Sequence, residues 1–194
     1  TMGHSAGDDL LRQVTARLLS ILRASDLLAR VGGDEFVAVL PNMSSRANAS
    51  IVANKILEIL SESFAIRHEQ VAVSASIGIC SYPEDGNDTE TLLRNADTAM
   101  YEAKGAGRSD WRCYSPTMTV EAQRHIQVLG ALGNALAGRT TFPELGLVYQ
   151  PKYTLHDQRL IGMEALCRWH SEELGEVAPR EFVTTAESGG LIRQ

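Results

Sequence analysis

Apolar residues recur three or four positions apart in several segments of the chain. In the first segment Leu10, Leu11, Val14, Leu18 and Leu22 would share one face of a helix, because an α-helix completes a turn every ~3.6 residues. The same pattern predicts amphipathic helices at 5–23, 45–63, 89–105 and 118–137, and a last helix that begins at Pro179. A proline is well placed there, since the first helical residue needs no N–H partner.

Short apolar stretches between these helices predict β-strands. The segments 27–31 and 36–40 flank Gly-Gly-Asp-Glu at residues 32–35, a composition that favours a tight hairpin. Further strands are predicted at 71–81, 111–114, 147–155 and 160–169. The order of the elements therefore predicts an α/β fold.

Composition and charge exclude several classes of protein. The 194 residues are 44% hydrophobic and 22% charged, as in globular domains, and they suffice for one domain and part of another. A net charge of -6 argues against a nucleic-acid polymer as partner, because such binding needs a basic surface. No apolar run reaches the ~18 residues that cross a bilayer. We expect a cytoplasmic segment without membrane contact. We also expect a fragment of a longer protein, and whether that protein is anchored to a membrane upstream stays open.

The cysteines predict neither a disulfide framework nor a zinc site. Cys80, Cys113 and Cys167 are isolated and odd in number, whereas structural zinc sites need closely spaced pairs of ligands. A reducing compartment is consistent with this usage.

The glycine turn is the first candidate for chemistry. Gly32 and Gly33 lack β-carbons, so a triphosphate can approach the backbone, and the carboxylates of Asp34 and Glu35 can hold hard divalent ions. The alternative is a solvent-exposed turn with two incidental acids.

Three segments resemble the GGDEF family of diguanylate cyclases. Residues 29–36, Ala-Arg-Val-Gly-Gly-Asp-Glu-Phe, match its signature, and residues 3–8 resemble its upstream Gly-His-x-x-Gly-Asp segment. Residues 95–108 resemble its closing helix. The resemblance implies that Asp8 contacts guanine and that Lys104 and Arg108 bind GTP phosphates. Alternatively, all three are ordinary charges at helix ends.

Arg23 and Asp26 resemble the Arg-x-x-Asp inhibitory site of the same family. Five residues separate Asp26 from Gly32, which is the family spacing. The resemblance implies that cyclic di-GMP binds there and restrains the enzyme, and an arginine suits bidentate contacts with phosphate or guanine. The alternative is a surface ion pair.

The C-terminal part of the chain resembles the opening of the EAL family of cyclic di-GMP phosphodiesterases. The resemblance covers roughly residues 122–194 and rests on Tyr-Gln-Pro at 149–151 and on residues 162–169. It implies that Glu164 is a metal ligand and that Gln150 and Arg168 contact the dinucleotide. The alternative is an ion pair of Glu164 with Arg168, which strand alternation places on the same face.

These resemblances imply a palm-like GGDEF sheet flanked by helices, at residues 1–115. A linker helix at 116–140 and the first strands of a TIM-like EAL barrel at 141–194 would follow. The family's first strand, with a metal-binding Asp, and its guanine-reading Asn have no counterpart in the chain. We therefore expect the fragment itself to be inactive or nearly so.

For the intact parent, the resemblance implies condensation of two GTP molecules into cyclic di-GMP by a homodimer with Mg²⁺ or Mn²⁺. Asp34 would hold metal, while Glu35 would assist the metal site or activate the attacking 3′-hydroxyl. Two alternatives stay open: a parent that acts mainly as an EAL phosphodiesterase, and a receptor that binds cyclic di-GMP or GTP without turnover.

Overall fold

The structure is a computed structural model that describes residues 4–43, 45–105, 107 and 109–193. The chain forms two compact units, Thr1–Thr119 and Val120–Gln194, and each has its own hydrophobic core. The sequence-based limits 1–115, 116–140 and 141–194 stay a prediction. None of the described helices is both long and apolar enough to cross a membrane.

The first unit is a mixture of helices and short strands, which confirms the α/β prediction. Its helices and strands are α1 His4–Ile21, β1 Leu27–Gly32, β2 Glu35–Val39, α2 Arg46–Ser61, β3 Phe64–Ile66, β4 Glu69–Val71, β5 Ser76–Ile79, α3 Thr89–Gly105 and β6 Asp110–Cys113. The pairs β1–β2 and β3–β4 are antiparallel, and β5–β6 is parallel.

The core of the first unit places the β1–β2 hairpin next to α1. Val14 and Leu18 of α1 are buried with Phe64 of β3, and Leu28 of β1 and Phe36 of β2 pack against this cluster. Because alternate residues of a strand share a face, the hairpin face that carries Leu28 and Phe36 points toward α1.

Helix α3 lies directly on β5. An ideal β-carbon built on Gly78 would come within 1.8 Å of the Ala96 carbonyl oxygen and 2.6 Å of the Met100 nitrogen. Ala99 and Ala103, on the same helix, are fully buried. Small residues on both elements therefore set a short distance between the strand and the helix.

The second unit consists of a three-stranded antiparallel sheet and two helices. Its elements are the part of α4 (Pro116–Leu136) that follows Thr119, β7 Leu145–Tyr153, β8 Leu160–Ser171, β9 Gly175–Val177 and α5 Pro179–Ser188. Val128 of α4 is buried in one cluster with Trp169 and Phe182, whose rings meet edge to face at 5.7 Å. The predicted linker helix thus contributes to the core of this unit.

The predicted strand at 71–81 is wrong in extent. Residues 72–75 lie outside any ladder, between β4 and β5, although Val73 and Ala75 pack against the core. The alternation of apolar residues in this segment reflects which side chains are buried, and side chains can be buried without backbone pairing to another strand. The three-residue strands β3, β4 and β9 were not predicted, because they are shorter than a recognisable alternating run.

Candidate functional site

The glycine turn closes the β1–β2 hairpin. Gly32 pairs with Glu35, and the register shifts between Arg30 and Gly32. Gly33 has a φ of 49°, in the left-handed region that glycine adopts without strain. Asp34 and Glu35 are exposed, and their carboxylates form no hydrogen bond or ion pair with any part of the chain that the structure describes. Both carboxylates are therefore free to meet a ligand from solvent.

Arg30 holds this turn from the side that faces α1. Its Nε and Nη2 atoms donate hydrogen bonds to the Gly33 carbonyl oxygen at 2.9 and 2.7 Å. Arg30 pairs with Phe36 across the hairpin, so its side chain shares the α1-facing side of the strands. The guanidinium therefore connects the turn to the space beside α1.

A cavity of about 230 Å³ lies beside this guanidinium, lined by Asp8, Leu11, Arg12, Thr15 and Arg30. Asp8 and Arg12 are one helical turn apart on α1, so they share a face. The structure thus brings the predicted guanine contact, Asp8, to the end of β1 that leads into the glycine turn. One carboxylate and two guanidinium groups give the cavity acceptors and donors for a polar ring.

Sequence reasoning did not single out Arg12 and Arg30. Arg12 follows Asp8 by four residues, and that spacing alone indicates a shared helix face. The hydrogen bonds of Arg30 had no comparable sequence signal, because they depend on the conformation of the turn.

The predicted phosphate contacts lie at the end of α3. Lys104 is exposed in the last turn of the helix, and its ammonium group makes no hydrogen bond or ion pair with the described residues. Arg108, the second predicted contact, lies outside the described residues. The joint role of Lys104 and Arg108 stays a prediction.

The carboxylates of the turn match part of a divalent-metal site. Hard cations such as Mg²⁺ take oxygen ligands, and carboxylates are the usual ones in proteins. Within residues 4–43, 45–105, 107 and 109–193, no cluster of three or more His, Cys, Asp and Glu side chains is close enough to hold a metal ion. The role of Asp34 and Glu35 as metal ligands stays a prediction, and a complete shell around such an ion needs further oxygen ligands.

The predicted inhibitory pair adopts a local turn. The Arg23 backbone N–H donates to Asp26 Oδ2 at 2.8 Å, and the Asp26 N–H donates to the Arg23 carbonyl oxygen at 2.9 Å. Among the described residues, the exposed Arg23 guanidinium has no hydrogen-bond or ion-pair partner. The alternative of an ion pair between the two side chains is therefore not what the structure contains.

The second candidate site lies on the β7–β8 pair. Gln150 is directly opposite Glu164, and Gly146 is opposite Arg168. Cross-strand partners lie on the same face, so Gln150, Glu164 and Arg168 share one face of this pair. The three predicted EAL residues are thus on a common surface.

Glu164 forms an ion pair with Lys152 and not with Arg168, the partner considered from the sequence. Its Oε2 atom is 3.0 Å from Lys152 Nζ, whereas the Arg168 guanidinium donates to the Cys167 carbonyl oxygen at 2.9 Å. Sequence reasoning missed Lys152, although its position two residues after Gln150 puts it on the same strand face.

Family models match most of the chain. The one described as "Diguanylate cyclase, GGDEF domain" matches residues 1–110, and the one described as "EAL domain" matches residues 132–194. These matches cover the two segments in which the glycine turn and the β7–β8 pair lie.

Curated relatives and a solved structure are also similar to the chain. The bifunctional diguanylate cyclase/cyclic di-GMP phosphodiesterase MucR of Pseudomonas aeruginosa is 41% identical over 192 residues, which are 99% of this chain and 27% of MucR. The cyclic di-GMP phosphodiesterase NbdA of the same organism is 35% identical over 194 residues, 100% of this chain and 24% of NbdA. The X-ray structure of an EAL/GGDEF domain protein from M. capsulatus has a TM-score of 0.56 and 44% identity, covering 59% of this chain and 74% of that one. The chain spans about a quarter of the length of these curated relatives.

Proposed function

The chain belongs to the GGDEF family of diguanylate cyclases, and on that premise we propose that the full-length protein condenses two molecules of GTP into cyclic di-GMP. The observation that carries the proposal is the glycine turn at residues 32–35, which presents two unpaired carboxylates and whose Gly33 carbonyl is bound by Arg30, a residue that lines the Asp8 cavity. Both a triphosphate and the metal ions that accompany it need such an arrangement.

Each residue of the site has a role that its chemistry supports. The Asp8 carboxylate is an acceptor, and the guanine edge offers the N1 and N2 hydrogens as donors. The triphosphate lies over Gly32 and Gly33, where no β-carbon blocks its approach to the backbone. Lys104 and Arg108 offset the charge that grows as the α-phosphorus is attacked.

The reaction joins two nucleotides by phosphoryl transfer. The 3′-oxygen of one GTP attacks the α-phosphorus of the other, the new P–O bond forms and the bond to pyrophosphate breaks. The 3′-hydroxyl proton passes to Glu35 or to water, and the same step in the opposite direction closes the ring. Because each GGDEF domain binds one GTP, the reaction requires a homodimer in which the two half-sites face each other.

Asp34 and Glu35 would hold the divalent metal, for which we propose Mg²⁺ or Mn²⁺. When bound, such an ion neutralises phosphate charge and polarises the phosphoryl oxygens. Two carboxylates do not complete an octahedral shell, so ligands from the nucleotide and from outside the described residues fill the remaining positions.

A second candidate function is hydrolysis of cyclic di-GMP by the EAL half. The common face of Gln150, Glu164 and Arg168 on β7 and β8 supports it, because a metal-bound dinucleotide needs a carboxylate next to polar and cationic groups. The product would be the linear dinucleotide. A receptor that binds cyclic di-GMP or GTP without turnover is the remaining alternative.

Product analysis of the full-length protein separates these functions. The protein is incubated with GTP, and separately with cyclic di-GMP, in the presence of Mg²⁺, and the products are identified by chromatography and mass spectrometry. The variant Glu35→Ala removes one turn carboxylate. Glu58→Ala is the matched control, since Glu58 is an exposed carboxylate on α2.

Cyclic di-GMP formed from GTP by the wild type and by Glu58→Ala, and lost in Glu35→Ala, would support the cyclase. Linear dinucleotide formed from cyclic di-GMP, with no product from GTP, would overturn it in favour of the phosphodiesterase. Tight binding of cyclic di-GMP without either product would support the receptor function instead.

A further inference from the structure

The Arg30 side chain is hydrogen-bonded to the glycine turn. Two of its N–H groups, on Nε and Nη2, converge on the Gly33 carbonyl oxygen at 2.9 and 2.7 Å. Hydrogen bonds from a charged donor are shorter and stronger than neutral ones. The Arg30 side chain is exposed, so this contact is not part of the packed core.

The Gly33 carbonyl controls where the next N–H group points. The Gly33 C=O and the Asp34 N–H belong to one planar trans peptide, so they point in opposite directions. Arg30 draws the carbonyl toward the α1 side of the hairpin, and the Asp34 N–H is therefore turned to the opposite side. That N–H has no partner within the described ranges of the chain.

The conformation of this peptide is not fixed by the backbone alone. Gly33 has a φ of 49°, and glycine populates positive and negative φ about equally. The orientation of the peptide between Gly33 and Asp34 is set by ψ of Gly33 and φ of Asp34, and the missing β-carbon of Gly33 leaves that ψ less restricted than in other residues. The hydrogen bonds from Arg30 select the observed orientation.

We propose that Arg30 is a positioning residue for the reaction: it fixes the Gly33–Asp34 peptide so that the Asp34 N–H donates to the phosphates and the adjoining carboxylates keep one arrangement. The inference rests on the proposed cyclase function of this turn. Arg30 also lines the Asp8 cavity, so one side chain contacts both the space for the base and the turn. Arg30 then ties the position of the base to the position of the phosphates.

Steady-state kinetics of the full-length protein with GTP test this role. The variants are Arg30→Ala, Arg30→Lys and the control Arg94→Ala, which removes an exposed cation from α3. A displacement of about 1 Å at a reacting group lowers rates by about 100-fold. We expect kcat of Arg30→Ala to fall about 10- to 100-fold, with KM within about threefold of wild type.

The conservative variant separates positioning from a general structural role. A lysine ammonium can donate to the Gly33 carbonyl, but only from one atom, so Arg30→Lys is expected to recover part of kcat. Melting temperatures of both variants are expected to match that of Arg94→Ala. Unchanged kcat in Arg30→Ala would overturn the inference, as would a rise in KM alone or a loss of melting temperature that parallels the loss of rate.

Crystal structures of the wild-type protein and of Arg30→Ala provide a readout that does not depend on turnover. The inference predicts that the Gly33–Asp34 peptide is flipped or takes several orientations in the variant. If the wild type makes no cyclic di-GMP, the proposed function fails and the peptide orientation still decides the role of Arg30. An unchanged peptide in Arg30→Ala would refute that role even in an active enzyme.

Discussion

Replacing Gly78 with alanine perturbs the contact between β5 and α3. The added β-carbon would lie 1.8 Å from the Ala96 carbonyl oxygen, 2.6 Å from the Met100 nitrogen and 2.9 Å from the Ala96 carbonyl carbon. Real β-carbons essentially never come closer than 3.0 Å to another heavy atom. Because all three neighbours are backbone atoms, no side-chain rotation relieves the overlap, and the helix must move away from the strand by about 1.2 Å.

The cost of this movement follows from the packing that it breaks. Overpacking a close-packed site costs about 1–3 kcal/mol, and we expect about 3 kcal/mol here because backbone rather than side chains must shift. Ala99 and Ala103, both fully buried, lose close contact with the strands when α3 moves. A loss of this size is a large fraction of the total stability of a domain, about 5–15 kcal/mol. It corresponds to a drop in melting temperature of roughly 10–20 °C.

Urea unfolding followed by tryptophan fluorescence measures the effect in the first unit. The chain has two tryptophans, and Trp111 lies on β6, paired with Ile77 of β5. A Trp169→Phe background leaves Trp111 as the only tryptophan reporter. Gly105→Ala is the matched control, because a β-carbon at this end of α3 meets nothing within 4 Å.

The two glycine variants are expected to differ clearly. Gly105→Ala is expected to leave the free energy of unfolding unchanged or to raise it by up to about 1 kcal/mol, since alanine is the better helix former. Gly78→Ala is expected to lower it by about 3 kcal/mol. A value for Gly78→Ala within about 0.5 kcal/mol of the control would refute the close packing of α3 on β5.

Three further predictions concern single side chains of the first unit. Arg17→Ala is expected to lower the free energy of unfolding by about 2 kcal/mol in urea titrations. The Arg17 guanidinium donates to three carbonyls in and just after the last turn of α2 and lies 3.7 Å from the centre of the Phe64 ring. An unchanged midpoint would contradict this. The pKa of the Cys80 thiol is raised to about 12, first by burial and then by the charge of a neighbouring aspartate. Iodoacetamide at pH 8 is therefore expected to modify Cys80 at least about 100-fold more slowly than free cysteine. Equal rates of modification would contradict the burial of this thiol. The hydrogen bond from the Thr91 backbone N–H lowers the pKa of Asp88. Asp88→Ala is therefore expected to lower the melting temperature at pH 7, and the difference from wild type should shrink as the pH falls below about 4. A difference that stays constant with pH would contradict this.

The elements of the first unit that were predicted best carry a local signal. The glycine pair at 32–33 predicts the hairpin turn, and the observed β1 and β2 end within one residue of the predicted strands. The predicted helices agree within a few residues for the same reason, since a 3.6-residue period of apolar positions is decided locally. The strands β3 and β4 are too short for a recognisable alternating run, and Arg67 in their turn, with a φ of 56°, is not a residue type that signals a left-handed turn.

The positions of the candidate site residues were predictable where a local sequence motif contains them. Asp34 and Glu35 belong to a recognisable motif, and the structure places them, exposed, on the turn that the motif predicted. Arg30 and Lys152 were missed because their roles depend on which atoms the fold brings near them. The partner of Arg30 is a backbone carbonyl, and no sequence pattern specifies the direction of a single carbonyl group.

The central claim is that the glycine turn receives the nucleotide phosphates against its backbone, and Gly32→Ala tests it most directly. A β-carbon on Gly32 would meet nothing within 4 Å, and its φ lies outside the left-handed region. The fold therefore tolerates alanine, while the new methyl group occupies the space that the phosphates need. The measurement is kcat/KM for GTP in the full-length protein, together with the melting temperature. We predict a loss of at least about 10-fold in kcat/KM, equivalent to about 1.4 kcal/mol, at an unchanged or slightly higher melting temperature. Wild-type kcat/KM in Gly32→Ala would contradict the account, because the phosphates would then not approach the turn.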